Sequence, residues 1–251
     1  MRRASPDAAP SPFPPLPRPS PPICVIGDVH GCLGALDALL ARIAARPGGN
    51  AARLVFVGDL IDRGPDSAGV LARVRALTED APERVTCLMG NHERMCLDAL
   101  TDPAAMALWL ANGGGATLES FGLSPRHDGT DPAGWHARLV ADLRAAWPEG
   151  TEAWLAARPL FWRQGGLAVA HAAGDPARPL EDQGEETLLW GHRDSRRHPR
   201  ADGLWVAHGH WIGAEVTARD GRIATDTGAF GGGALSAAWL GSEGLEVIAA
   251  T

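Results

Sequence analysis

Three short segments of this 251-residue chain place a metal-competent side chain directly after a glycine. They are Gly27-Asp28-Val29-His30-Gly31, Gly58-Asp59-Leu60-Ile61-Asp62-Arg63-Gly64 and Gly90-Asn91-His92-Glu93. Two later segments end in histidine after a small apolar run: Val169-Ala170-His171 and Val206-Ala207-His208-Gly209-His210. Carboxylate oxygen, amide oxygen and imidazole nitrogen suit Mn²⁺, Fe or Zn²⁺ better than Ca²⁺. The donors exceed what one four-coordinate ion uses, and they suffice for two ions sharing one carboxylate. Two ions about 3.5–4 Å apart stabilise the attacking and leaving oxygens of an in-line displacement and lower the pKa of a shared water. Phosphoester hydrolysis is the reaction that needs this. A single Gly-Asp pair would ordinarily be a turn or a helix cap. The coincidence of all five segments is what argues for a site.

The elements that must position these residues follow from the apolar pattern. Ile23-Cys24-Val25-Ile26, Leu54-Val55-Phe56-Val57 and Val85-Thr86-Cys87-Leu88-Met89 read as buried strands. Between them, Leu33, Leu36, Leu39, Leu40 and Ile43 fall at helical spacing, as do Val70, Leu71, Val74 and Leu77. This βαβαβ opening implies a largely parallel layer with crossover helices. The carboxyl ends of such strands converge on one crevice, so Asp28, Asp59 and Asn91 are expected to meet there. Residues 95–160 read as mostly helical. Strand character returns at 167–170, 204–207, 223–225, 235–240 and 245–249. The late strands, joined by short turns such as Asp220-Gly221, suggest a second, more antiparallel sheet packed on the first. No internal repeat and no domain boundary is evident after residue 22.

Residues 1–22 hold nine of the 20 prolines and are expected to form a disordered or polyproline-like tail. Arg2-Arg3 is not followed by an apolar stretch of signal-peptide type, so a cytoplasmic protein is expected. The chain is 45% hydrophobic, enough for the body, 23–251, to bury a core. A formal net charge of −7 argues against a general nucleic-acid binder, though not against a local basic pocket for phosphate. No apolar run approaches the ~20 residues that span a bilayer. The four cysteines, Cys24, Cys32, Cys87 and Cys96, form neither a disulfide framework nor a C-x-x-C zinc motif. The chain has no tyrosine, which removes a tyrosine acid from the mechanism.

The three Gly-Asp and Gly-Asn segments resemble the motifs of PPP-type serine/threonine phosphatases of bacterial type, a branch of the calcineurin-like metallophosphoesterases. The match is strongest over Gly58–Pro65 and Gly90–Glu93. The resemblance implies an α/β fold: a sandwich of two mixed β-sheets flanked by helices, with a dinuclear metal cleft at the strand carboxyl ends. It implies that Asp28 and His30 bind one ion, that Asp59 bridges, and that Asn91, His171 and His210 bind the other. It further implies His92 as general acid held by Asp62, with Arg63, Asn91 and a second arginine on the substrate phosphate. Two divalent ions, Mn²⁺ first and Fe or Zn²⁺ as alternatives, are the implied cofactors.

Two positions stay open. The last metal histidine is His210 or His208, with His210 favoured because the family ligand follows the small residue. The second clamp falls on Arg193, with Arg196 and Arg197 as rivals, because the expected position holds His192. The resemblance implies dephosphorylation of phosphoserine and phosphothreonine proteins by direct attack of a metal-bridging water. The alternative is a symmetrical dinucleoside-tetraphosphate hydrolase, whose family shares the Gly27–Cys32 opening and a Gly-His-Trp like Gly209-His210-Trp211. An inactive binding module on the same scaffold would lack a ligand or His92, and none is missing. The expected partners are a phosphorylated protein or a small phosphoester, with neither nucleic acid nor membrane. Thr225-Asp226-Thr227-Gly228 reads as a turn supporting the cleft, Trp109 as core or groove wall, and Asn112-Gly113-Gly114 has no assigned role.

Overall fold

A computed structural model describes residues 13–127, 129 and 131–251. The first sheet takes the order β10-β9-β1-β2-β3, with β1 Ile23–Ile26, β2 Arg53–Phe56, β3 Val85–Cys87, β9 Leu235–Gly241 and β10 Gly244–Ala250. The second takes the order β4-β5-β6-β8-β7, with β4 Phe161–Gln164, β5 Leu167–Ala170, β6 Trp205–His208, β7 Thr217–Arg219 and β8 Arg222–Ala224. In the first sheet β1, β2 and β3 are parallel; in the second β5, β6 and β8 are. Both sheets are therefore mixed.

The period-two alternation of β1 divides its side chains between two cores. Ile23 and Val25 face the second sheet and join Val55, Val57, Leu167, Val169, Ala207 and Ile223 between the layers. Cys24 and Ile26 face the helical side and join Leu36, Leu39, Ile43, Val70 and Val74. Those last residues are the buried stripes of α1 (Leu33–Ala44) and α2 (Ser67–Asp80), at the spacing the sequence predicts. Asp66 caps α2 by accepting the Gly69 N–H at 2.7 Å. The helical middle comprises α3 (Asn91–Ala99), α4 (Pro103–Trp109), α5 (Gly115–Ser120), α6 (Pro132–Ala146) and α7 (Thr151–Ala156), followed later by α8 (Glu185–Trp190).

Two expectations need correction. The strands at 235–240 and 245–249 do not build the second sheet. They extend the first, where β9 runs antiparallel to β1 with Ile23 opposite Leu240. All seven residues of β9 are buried, so it needs a strand on each side and takes a central place between β1 and β10. The free tail expected over 1–22 does not hold for 13–22. Phe13 packs edge-on against Trp205 at 5.6 Å, and the Trp205 Nε1–H donates to Pro14 O at 2.9 Å. Leu16 packs against the core between the sheets, and Pro22 O accepts the Arg53 N–H at 2.9 Å. Residues 1–12 lie outside the described residues. No helix among the described residues is long and apolar enough to cross a membrane.

Candidate metal centre

The parallel strands β1, β2 and β3 deliver Asp28, Asp59 and Asn91 to one edge, and β5 and β6 deliver His171 and His210 to the same place. The chain turns sharply as it leaves the strands. His30, Asp59, Asp62, Arg63 and His210 all have positive φ, between 44° and 73°. Non-glycine residues are uncommon there and concentrate at sites where surrounding structure enforces the conformation. Gly58 has φ 99°, and a Cβ on it would lie 2.5 Å from Gly90 N, so only glycine lets the loops after β2 and β3 touch. Likewise a Cβ on Gly209 would lie 1.8 Å from Asp28 Oδ1.

Backbone carbonyls aim the imidazoles. His30 Nδ1 lies 2.7 Å from Ile61 O, and His171 Nδ1 lies 2.9 Å from Val57 O. With Nδ1–H donating to a carbonyl, Nε2 is left as a lone-pair donor, the tautomer a metal requires. His30 Nε2 is 3.5 Å from Asp59 Oδ2, and His171 Nε2 is 3.5 Å from Asp59 Oδ1. Two ligand groups result, His30–Asp59–His92 and Asp59–His171–His210, and they share Asp59. Asn91 Oδ1 joins the second, 2.8 Å from His171 Nε2 and 3.0 Å from His210 Nδ1. His210, not His208, stands in that group. His208 is buried behind it with Nδ1 on Gly209 O at 2.9 Å.

The donor set fits divalent cations. Asp28 Oδ2 accepts the His210 N–H at 3.0 Å, while its Oδ1 is buried with no partner among the described residues. Such an orphan is costly unless a cation or water meets it. Burial, then the charges of Asp226 and Asp59, push the Asp28 carboxyl well above the usual range. Burial acts on Asp59 the same way, but His171, His92 and His30 outweigh it and hold its carboxyl low. Desolvation lowers His30 to about 4 and His210 to about 4, keeping both imidazoles neutral and able to ligate. Asp28, Asp59, Glu93 and Asp226 are all buried together, and the mutual repulsion that raises Asp28 is what divalent ions would relieve by favouring the ionised carboxylates.

His92 is the third imidazole near Asp59, with Nε2 3.9 Å from Oδ2. Its Nδ1 lies 2.6 Å from Asp62 Oδ2, and both side chains are buried. Burial lowers the His92 pKa, but the Asp59 charge and the Asp62 hydrogen bond and charge win and raise it. Asp62 is held in turn by Trp109, which the sequence shows only as core or groove wall, and by Thr117, which it leaves without a role. Trp109 Nε1–H donates to Oδ2 at 2.9 Å, and the Thr117 hydroxyl donates to Oδ1 at 2.6 Å. Glu93 belongs to the Gly90–Glu93 motif, but the sequence assigns its side chain no task in the site. Its carboxylate accepts the N–H groups of Asp59, Leu60, Ile61 and Gly90 at 2.7–3.3 Å, fixing the turn that carries the shared aspartate. Its place inside Gly90-Asn91-His92-Glu93, at the third position of α3, was the available signal.

Arg63 reaches the same cleft, with Nη1 3.0 Å from His30 Nε2 and its guanidinium 4.7 Å from the Phe230 ring centroid. Phe230 also packs edge-on against His30 at 5.1 Å, and no sequence signal pointed to it. Gly113 O accepts the Arg63 N–H at 3.2 Å, and a Cβ on Gly113 would lie 2.8 Å from Arg63 Cγ. That gives Asn112-Gly113-Gly114 its role as a backbone shelf under Arg63. Asp226 sits beside Asp28, and Thr225 N–H and hydroxyl both donate to His208 O at 2.9 Å, so this turn does support the cleft. Arg193 is not within the ligand groups. It is largely exposed and lines a neighbouring pocket.

Two mixed sheets with a shared aspartate between two ligand groups at their carboxyl edge define a metallophosphoesterase. The chain belongs to the calcineurin-like phosphoesterases, matching that family over residues 21–215. It is 32% identical over 229 residues to serine/threonine-protein phosphatase 1 of Salmonella typhimurium, covering 86% of this chain and 90% of that protein. It is 30% identical over 267 residues to the symmetrical bis(5'-nucleosyl)-tetraphosphatase of Ralstonia nicotianae, covering 89% of this chain and 91% of the relative. Among solved structures, one provisionally assigned as a diadenosine tetraphosphatase superposes with TM-score 0.62 at 22% identity, covering 92% of this chain and 94% of that one. A serine/threonine phosphatase of Saccharomyces cerevisiae gives 0.57 at 15%, covering 92% and 80%. The protein is a phosphoester hydrolase of this family.

Proposed function

We propose that the chain removes phosphate from phosphoserine and phosphothreonine side chains. The Asp62–His92 pair carries this reading. A serine alkoxide is a poor leaving group and needs a proton as the P–O bond breaks, whereas a nucleotide leaving through phosphate oxygen does not. The 2.6 Å contact orients His92 so that Nε2 faces the cleft as the proton donor. Asp28, His30 and Asp59 would hold one ion, and Asp59, Asn91, His171 and His210 the other. The mixed oxygen and nitrogen donors suit Mn²⁺. When bound, the ions would supply an ionised water near neutral pH and neutralise phosphate charge. Arg63 and Asn91 would hold non-bridging phosphate oxygens, a task suited to a planar guanidinium and an amide, with Arg193 approaching from the facing loop. His92 passes its proton to the leaving oxygen while Asp62 keeps Nδ1–H occupied.

A second reading, symmetrical hydrolysis of dinucleoside tetraphosphate, is supported by the full-length similarity to the Ralstonia enzyme. The deciding experiment compares kcat/KM of the Mn²⁺-loaded protein on phosphoserine/phosphothreonine peptides and on diadenosine tetraphosphate. A clear preference for the peptides is expected. A preference for the dinucleotide would replace the first reading with the second.

A further inference from the structure

Beside the metal centre lies a pocket of about 560 Å³, lined by Trp190, Gly191, His192, Arg193, Arg196, Arg197 and Trp211. It shares a wall with the centre, because the Trp190 and Trp211 rings pack edge-on against His210 at 6.3 and 5.5 Å. Three arginines within five residues face this volume on a chain whose net charge is −7. Arg193 has Asp194 at 3.6 Å. Among the described residues, no carboxylate lies within ion-pair distance of Arg196 or Arg197. The Arg196 guanidinium lies 5.8 Å from the Trp211 ring centroid, which places it one indole away from His210.

The pocket is built. Ser195 is buried, its hydroxyl donating to Gly174 O at 2.7 Å while accepting the His192 N–H at 2.9 Å. Gly191 has φ 85°, and a Cβ there would lie 2.4 Å from Trp211 Cζ2, so the indole packs directly on its backbone. The loop bearing the arginines is thus held before any ligand arrives, which reduces the ordering cost of binding.

Resting on the phosphoester hydrolase reading, we propose that this pocket binds a second phosphate group of the substrate, one beyond the phosphate at the metal centre. Arg196 and Arg197 supply the guanidinium forks. The second phosphate could be carried by a neighbouring phosphorylated side chain or by a nucleotide's polyphosphate chain. In the nucleotide case the base would rest on Trp190, which is 42% exposed beside the cleft.

The test measures KM of the Mn²⁺-loaded full chain on a singly phosphorylated serine peptide, the same peptide with a second phosphoserine, and diadenosine tetraphosphate. The variants are Arg196→Gln with Arg197→Gln, and Trp190→Leu. Losing two charge-assisted contacts should raise KM for the substrates with extra phosphates by at least about tenfold more than for the singly phosphorylated peptide. A loss confined to the doubly phosphorylated peptide assigns the pocket to proteins. A loss on the dinucleotide that Trp190→Leu deepens assigns it to nucleotides, and the pocket proposal then stands even if no peptide is turned over. Equal KM changes on one- and two-phosphate substrates, or none, overturn the proposal while leaving phosphoserine hydrolysis intact. Turnover of no substrate overturns both.

Discussion

Asp62→Asn tests the general-acid pair without removing the side chain's other contacts. Asp62 has two oxygens with separate duties: Oδ1 accepts the Thr117 hydroxyl at 2.6 Å, and Oδ2 faces His92 Nδ1 at 2.6 Å. An asparagine with its oxygen in the Oδ1 position keeps the Thr117 bond and a Trp109 bond, whose Nε1 reaches Oδ1 at 3.0 Å. What it loses is the acceptor for His92, and it sets an NH₂ donor against Nδ1–H. A hydrogen bond to a charged group contributes about 1.5–3 kcal/mol, so the proton-donating form of His92 should be weakened by about 10- to 100-fold. That loss should appear in kcat for alkyl phosphates such as phosphoserine peptides. On p-nitrophenyl phosphate, whose leaving group departs without a proton, the loss should be below about threefold. The assay is kcat across a series of phosphomonoesters of graded leaving-group pKa, with Tm recorded alongside. A steeper dependence on leaving-group pKa in the variant supports the acid. Equal losses across the series would rule out proton donation by His92 and leave Asp62 a purely structural residue.

Trp109→Phe removes the indole donor to Asp62 and leaves space in a fully buried position. It should lower stability by about 2–4 kcal/mol in denaturant unfolding, and it should cost less kcat on alkyl phosphates than Asp62→Asn because Thr117 remains. Phe13→Ala should lower Tm, with a loss of about 1–3 kcal/mol, because the ring packs on Trp205 between the described N-terminal segment and the second sheet. An unchanged Tm would mean that residues 13–22 do not hold to the body. Asp202 has its carboxyl held below the usual range: burial raises it, but the Arg200 hydrogen bond and the Leu204 N–H outweigh burial. A depressed folded pKa stabilises above the unfolded value and is lost as pH falls through the folded one. Asp202→Asn should therefore lower Tm at pH 7, and the gap from the parent should close as the pH is lowered below the ordinary aspartate range. A gap that persists in acid would assign the effect to packing.

The candidate site was more legible in the sequence than the full fold, for a physical reason. A candidate donor sits within three residues of its strand's end, so Asp28, Asp59 and His171 announce themselves by position after short apolar runs. The stripes of α1 and α2 are equally local, because a helix's buried face repeats within a few residues. Strand partners are not local. Nothing within 235–250 states that β9 pairs with β1, more than two hundred residues earlier in the chain, rather than with the strands just before it. Prolines at 14, 15, 17 and 19 argue against regular structure, and residues 13–22 carry neither helix nor strand. The prolines did not argue against packing: Trp205 and the Gly203 turn supply the surface that Pro14 meets, and the Gly221 turn lies against Phe13. Residues acting through another residue were invisible for the same reason: Trp109, Thr117 and Phe230 become informative only once Asp62 and Arg63 are in place.

One carboxylate, Asp59, is shared by both candidate ion sites. The most direct measurement is metal content against activity: the stripped chain is titrated with Mn²⁺, bound ions are counted per chain, and p-nitrophenyl phosphate hydrolysis is followed at each point. Two ions are expected to bind per chain, with turnover appearing on binding of the second. Saturation at one ion with full turnover, or turnover by the fully stripped protein, would contradict the two-ion site.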